Sequence, residues 1–364
     1  MKKVLTIGSI MRDVFMQYDG VETLNLHTNT DDLSYVCMRA GRKIELNNIV
    51  YYCGGGAANS AVSFARASCD VTIFSKIGID QAGDFILQTL NKENINTSLI
   101  TQTDTAPTGN SFIVTGPQNN SAVLVHRGAN ITITQSELPE NAIANSDLLY
   151  ITSLSGPTAP LLIAITSLAQ KYNKPVAANP GTSQLNAGAQ YLKAALSGID
   201  TLILNSYEAE LLMTSLTLVL PPQEIPTHLD ESLPELLKKP LGSATTCFTL
   251  PQFFKQVHSY GPRIIVVTNG AEGVYACDQQ WIYFHPSIPI QIVSSIGAGD
   301  AFGSCFVAHL YNHSPIENAL RAGIVNSASV IKQLGTQTGL LTTQEIEHAC
   351  NQLDPSLLKK YPLK

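Results

Sequence analysis

Short, near-continuous apolar runs alternate with segments of helical spacing along most of this chain. The runs are VLTIGS from Val4, VTIFSKIG from Val71, DLLYIT (147–152), PVAANP (175–180), TLILN (201–205) and RIIVVT (263–268). Between them, AANSAVSFARAS (57–68) places Ala57, Ala61, Phe64 and Ala65 on one helical face. APLLIAITSLAQKYN (159–173) and SYEAELLM (206–213) also read as helices. Apolar strands separated by helices predict a parallel sheet covered on both faces. Ligands of such sheets bind at the C-terminal ends of the strands. The segments ANPGT, LNSYE and VTNGAEG therefore become candidate places for a site.

A second pattern is interleaved with the first helical units. MRDVFMQYDG (11–20), RKIELNNIVYY (42–52) and SFIVTGPQNNSAVLVH (111–126) alternate or form short β runs. The last predicts a hairpin with GPQNN as its turn. We read these pieces, about 11–53 and 107–130, as a small β lid set into one domain spanning 1–364. The stretch from about 215 to 255 is rich in Pro, Leu and Thr without a clean period. It is expected to be a surface insertion without chemistry.

Composition narrows the function classes. The chain has 364 residues, 44% hydrophobic and only 14% charged, with a net charge of −6. No basic cluster suggests a nucleic-acid surface. No apolar run approaches the ~20 residues of a membrane span. Arg12 and Asp13 interrupt the apolar start, which argues against a signal peptide. The seven cysteines are widely spaced, with no C-x-x-C, and predict reduced thiols in the cytoplasm.

The segment SSIGAGDAFG (294–303) places small residues directly before Asp300 and an apolar run after it. Such a corner lets backbone N–H groups approach a ligand, and a helix N-terminus adds the positive end of its dipole. An acidic chain gains an anion cradle this way without a lysine. Asp300 is then placed to accept a proton from a hydroxyl attacking phosphorus, with the turn amides stabilising the transferred phosphoryl group. The plainer reading is an N-cap aspartate after a glycine turn.

The rest of the chain resembles the ribokinase-like carbohydrate kinase family, also called the phosphofructokinase-B family, over roughly residues 1–345. One signature region is GGGAANSAVSFARASCDVTIFSKIGIDQAGDFI (54–86). The other is SSIGAGDAFGSCFVAHL (294–310). NSYE (205–208) and TNGAEG (268–273) lie between them in the expected order. The resemblance implies a three-layer, doubly wound, mostly parallel α/β sheet with a β-sheet lid. It implies transfer of the terminal phosphate of ATP to an alcohol of a sugar or nucleoside, with Mg²⁺.

Carried to matching positions, the resemblance makes Asp300 the base and Gly297, Ala298 and Gly299 the anion hole. Asn205 and Glu208 would organise Mg²⁺ and its waters. Thr268, Gly270 and Gly273 would line the nucleotide path, with Asn326 near the adenine. Asp13, Gly55, Gly56 and Asn59 would meet the substrate. A homodimer paired through the lid strands is also implied.

Several positions depart from ribokinase proper. Met11 replaces an asparagine, Gly56 replaces a lysine, and Ser294 replaces an aspartate that helps hold a monovalent cation. The first two make the pocket more apolar and favour a nucleoside or a less polar alcohol. Low basic content near the lid argues against a sugar phosphate. Arg127, in HRGAN (126–130), is either a phosphate contact from the lid or a solvated hairpin residue. A catalytically idle binding protein on the same fold is the alternative of a different class. A Rossmann dehydrogenase is disfavoured because Asn59 stands where G-x-G-x-x-G needs its last small residue.

Overall fold

A computed structural model describes residues 1–27, 32–116, 121–216, 232–243 and 246–363. The central sheet has ten strands. In spatial order they are Lys359–Pro362, Trp281–His285, Val274–Cys277, Ile264–Thr268, Thr201–Asn205, Val176–Ala178, Leu148–Ile151, Lys3–Ile7, Asp70–Gly78 and Asn96–Thr103. The strands from Ile264–Thr268 to Asn96–Thr103 pair in parallel. The three at the other edge pair antiparallel. The six predicted apolar runs all lie in the parallel portion. The antiparallel edge was not expected from the pattern.

Alternation across the sheet accounts for its layers. Leu5, Ile7, Leu149, Ile151, Leu202, Leu204, Ile265 and Val267 face one core, with Leu162, Ile165, Leu212 and Phe253 from helices. Val4, Leu148, Tyr150, Ala177, Ile203 and Val266 face the other, with Ala57, Ala61, Phe302, Phe306 and Leu320. Strands buried on both faces need apolar residues at every position, which is why the runs are continuous.

The chain winds from Lys3–Ile7 outward to Asn96–Thr103, then returns to build the other half from Leu148–Ile151. The switch point therefore lies between Lys3–Ile7 and Leu148–Ile151, where a crevice opens at the strand ends. Backbones crowd there. A side chain on Gly8 would place its Cβ 2.0 Å from Thr152 Oγ1.

A separate four-stranded sheet, ordered Asn48–Gly54, Met11–Gln17, Gly109–Thr115 and Ser121–His126, corresponds to the expected lid segments. Gly109–Thr115 and Ser121–His126 pair antiparallel, as a hairpin requires. Four of the five residues of the expected GPQNN turn, 117–120, lie outside the described residues. Glu22–His27 and Asp32–Cys37 add a two-stranded antiparallel pair.

Part of the 215–255 stretch, 217–231 and 244–245, also lies outside the described residues. Its described part reaches the core. Helix Leu250–His258 buries Leu250, Phe253, Phe254 and Val257, and Leu236, Leu241 and Phe248 are buried as well. That helix carries its own start signal: Thr249 and Gln252 form a capping box, with Pro251 in the first turn.

Candidate active site

Two glycine corners deliver the central groups. Gly55, at φ +90°, begins helix Gly56–Arg66. A Cβ there would lie 2.5 Å from the Ser9 carbonyl oxygen, so only glycine fits. Gly297 takes the left-handed conformation, φ +85°, at the start of helix Ala298–Tyr311. Its neighbour Asp300 is therefore a first-turn residue inside the helix rather than its N-cap.

The two helices meet through Asn59 and Asp300. Asn59 Nδ2 donates to Asp300 Oδ2 at 2.7 Å. Asn59 Oδ1 accepts from Thr336 Oγ1 at 2.8 Å and from Gln337 Nε2 at 3.1 Å. Two donors on Oδ1 fix the amide so that its NH₂ faces the carboxylate. Asn59 is only 4% exposed. Its side chain supports Asp300. The loop carrying Gln337 is itself clamped. Arg66 Nη1 donates to the carbonyls of Gln337 and Leu340, and Arg66 pairs with Glu93 at 2.6 Å.

Asp300 has its pKa pushed up to about 6 by burial, which the Asn59 hydrogen bond partly offsets. Asp13 lies on the small sheet, 4% exposed, and accepts from the Ser111 hydroxyl. Burial raises its pKa to about 6, the Ser111 bond opposes this, and the Asp300 charge adds to it. Gly54 makes room for Asp13, because a Cβ there would lie 1.8 Å from Asp13 Oδ2. Gly56 packs against the Thr152 side chain. The substrate candidates Asp13, Gly55 and Gly56 thus surround the same corner as Asp300.

Behind Asp300 opens a cavity of about 330 Å³. It brings together Thr268, Gly270, Gly273, Ala298 and Gly299, which the sequence separates into two motifs. Ile288, Ile290, Ile292, Phe302, Ile324 and Ile331 form its apolar wall. Gly299 faces open space, so its missing side chain leaves backbone accessible. Gly273, at φ +130°, would clash with the His285 carbonyl if it bore a Cβ.

Asn326 does not join this cavity. It is 1% exposed. Its Nδ2 donates to the Ala301 carbonyl at 2.9 Å and to Ser63 Oγ at 3.3 Å, and its Oδ1 accepts from Leu341 N–H. Its amide is thus engaged with this chain's own groups, at a position the resemblance places near the adenine. The adjacent Ser327 and Ala328 line the cavity instead.

NSYE forms a reciprocal capping box. Asn205 Oδ1 accepts from Glu208 N–H at 2.8 Å, and Glu208 Oε2 accepts from Asn205 N–H at 2.9 Å. The Glu208 pKa is raised, chiefly by burial, with the Asp300 charge contributing. Among the described residues no cluster of three His, Cys, Asp or Glu could hold a metal alone. A donor set of one half-free carboxylate suits Mg²⁺, which keeps several waters and takes its other ligands from phosphates.

The sequence motifs missed Thr336, Gln337 and Ser111. The first two lie 277 and 278 residues from Asn59 in the chain, and no local pattern marks them. The capping role of NSYE was legible, since N-x-x-E before an apolar run is a helix-start signature.

The pfkB family carbohydrate kinase model matches residues 1–343. The chain belongs to the pfkB family of carbohydrate kinases. It is 26% identical over 296 residues to a ribokinase of Staphylococcus aureus, covering 80% of this chain and 86% of that one. It is 26% identical over 325 residues to a 5-dehydro-2-deoxygluconokinase of Mesomycoplasma hyopneumoniae, covering 85% and 88%. Its fold matches the Arabidopsis thaliana ribokinase solved with ribose and ATP at a TM-score of 0.75, with 16% identity, covering 97% of this chain and 100% of that one. The ribokinase-like fold with its small second sheet is thereby established. So is its place among carbohydrate kinases. Among the described residues no helix is long and apolar enough to cross a membrane.

Proposed function

We propose that this chain transfers the terminal phosphate of Mg·ATP to an alcohol group of a sugar or nucleoside held between Asp13 and Asp300. The observation that carries the reading is the position of Asp300. It sits on the first turn of a helix, tied by Asn59, with the nucleotide-sized cavity on one side and the small sheet with Asp13 on the other.

A half-buried carboxylate with a pKa near 6 is ionised at neutral pH and still basic enough to take a proton. As the acceptor oxygen bonds to phosphorus, its proton passes to Asp300 and ADP leaves. The N–H groups of Gly297 and Gly299 have no partner among the described residues and face the charge that develops on the transferred group, while that of Ala298 donates to the Ser295 carbonyl at 3.3 Å. Bound Mg²⁺ would neutralise phosphate charge, with Glu208 placed to hold its waters.

The exposed apolar row Tyr51, Phe112 and Leu124, with Val14 between, supports pairing of the small sheet with a second copy.

The test is ADP release with Mg·ATP against sugars, sugar phosphates, sugar acids and nucleosides, with Asp300→Asn as control. Acceptor-dependent turnover lost in the variant supports the reading. ADP release that no acceptor stimulates, unchanged in Asp300→Asn, would mean an idle binding protein.

A further inference from the structure

Loop 269–273 borders the cavity behind Asp300 and has little stiffness of its own. Gly270, at φ +51°, and Gly273, at φ +130°, lie within it. Thr268, Gly270, Ala271, Gly273 and Val274 line the cavity, whereas Asn269 and Glu272 do not. Asn269 Nδ2 donates to Glu235 Oε2 at 3.4 Å instead. Glu235 begins the short helix Glu235–Lys238, inside the stretch expected to carry no chemistry. The next residue, Leu236, is buried, and its N–H donates to Tyr275 Oη at 3.0 Å. Tyr275 is itself buried in strand Val274–Cys277, which begins where the loop ends. Two adjacent residues of the stretch thus grip the loop from both ends. Glu235 holds its first residue, and Leu236 holds the strand after its last.

We propose that Glu235 is a positioning residue for the nucleotide. Through Asn269 it holds loop 269–273 in the shape that lines the cavity, so that Mg·ATP meets a loop already ordered. The proposal rests on the phosphotransfer reading above and gives the 215–255 stretch a part in it. Glu235 does not line the cavity, so its action passes through Asn269. A loop that had to be ordered on binding would weaken the complex. Loss of the tie therefore weakens nucleotide binding and leaves the chemistry at Asp300 alone. Glu235 also pairs with Lys239 at 3.4 Å, but Lys239 is 68% exposed, and such a pair contributes little. The bond from Leu236 to Tyr275, rather than Lys239, sets the carboxylate beside Asn269.

The test uses the full chain. Calorimetric titration with Mg·ADP, which cannot be turned over, reads nucleotide binding alone. ADP release reads KM for ATP and kcat. Glu235→Ala and Asn269→Ala should each raise the Kd for Mg·ADP and the KM for ATP by about 3- to 10-fold, the range of one net hydrogen bond. The kcat at saturating ATP should stay near the wild-type value. The double variant should bind no worse than either single one, because both remove the same bond. Glu235→Gln keeps an acceptor oxygen and should restore most of the affinity. It also keeps the test open where an alanine variant melts too low to assay. Asn269→Asp sets two carboxylates together and should bind worse than Asn269→Ala, and adding Glu235→Gln to it should recover affinity. Lys239→Ala should leave the Kd as it is. Additive losses in the double variant overturn the proposal. So does a fall in kcat and melting temperature with Kd unmoved, which would make the contact purely structural. If the wild type binds no Mg·ADP, the proposal and the phosphotransfer reading fall together. If it binds Mg·ADP but phosphorylates no acceptor, only the phosphotransfer reading falls, and the titrations still decide the role of Glu235.

Discussion

Asn59 and Asp300 are joined by a 2.7 Å hydrogen bond between the two helices that start at the glycine corners. The bond favours the ionised carboxylate, and burial opposes it. Removing it should leave burial unopposed. Asn59→Leu is expected to lower kcat and to move the acid limb of the pH–kcat/KM profile above its wild-type position. Rate measurements from pH 5 to 8 check this. A lower kcat with an unmoved acid limb would show that Asn59 acts on the substrate and not through Asp300.

Asp300 itself should set that acid limb. A base must be ionised, so kcat/KM is expected to rise with pH through about 6 and level off above it. Because Asp13 also titrates near 6 and faces the same charge, the observed value belongs to the pair. Asp300→Asn should reduce kcat by roughly 10²–10⁴, the usual contribution of a positioned base, with ATP affinity largely kept. Turnover within a few-fold of wild type would remove Asp300 from the role.

Much of this site was legible because it is built from local backbone features. Glycine corners, helix starts and strand ends leave marks over a few residues, and 54–56, 205–208, 268–273 and 297–300 carry them. The parallel strands were legible for a similar reason, since burial on both faces writes a continuous apolar run. What could not be read is long-range. Thr336 and Gln337 reach Asn59 from a loop whose sequence, QLGTQTG, has no periodic signal. Nor does motif position announce that the Asn326 amide ties to Ala301, Ser63 and Leu341. The edge strands Val274–Cys277 and Trp281–His285 are short and antiparallel, so they lack the helix that would have marked a crossover.

Asp13 links function to stability. Its folded-state pKa, about 6, lies above its ordinary value of 3.8. Between those values the folded state holds the proton more tightly than the unfolded state. Stability from this group is therefore fully present below about pH 3.8 and is lost as pH rises through about 6. Asp13→Asn should raise the melting temperature at pH 7.5 and change it little at pH 4, while lowering activity. Thermal melts at the two pH values check the sign. Destabilisation of equal size at both would mean that the Ser111 bond, not the buried charge, dominates.

The cavity wall predicts loose selection of the nucleotide base. Its lining side chains are isoleucines, Val274, Pro289, Phe302, alanines and hydroxyl residues, with no amide or charged group among the described residues. Apolar pockets discriminate between related ligands by only about 10²-fold, whereas sites built to hydrogen-bond reach 10⁴–10⁵. The kcat/KM ratio of ATP to GTP is expected below about 10², on that same scale. A ratio near 10⁴ would show that backbone groups read the base edge.

Gly299 separates folding from phosphate binding. It lies within helix Ala298–Tyr311, outside the left-handed region, and a Cβ there would meet nothing within 4 Å. Alanine is the better helix former by roughly 0.5–1 kcal/mol, so Gly299→Ala should keep or raise the melting temperature. The same methyl group would project toward the cavity that Gly299 lines with Ala298. If the first-turn amides receive the nucleotide phosphates, the methyl blocks their approach, and KM for ATP should rise about tenfold or more, the loss of one or more hydrogen bonds to a charged group. Gly297→Ala is a poor substitute test, because its left-handed backbone and the Thr336 side chain at 2.9 Å would make it unfold for unrelated reasons. Melting curves and ATP saturation kinetics on Gly299→Ala decide the matter together. A stabilised variant with unchanged ATP saturation would place the phosphates away from this helix start and with it displace Asp300 from the reacting centre.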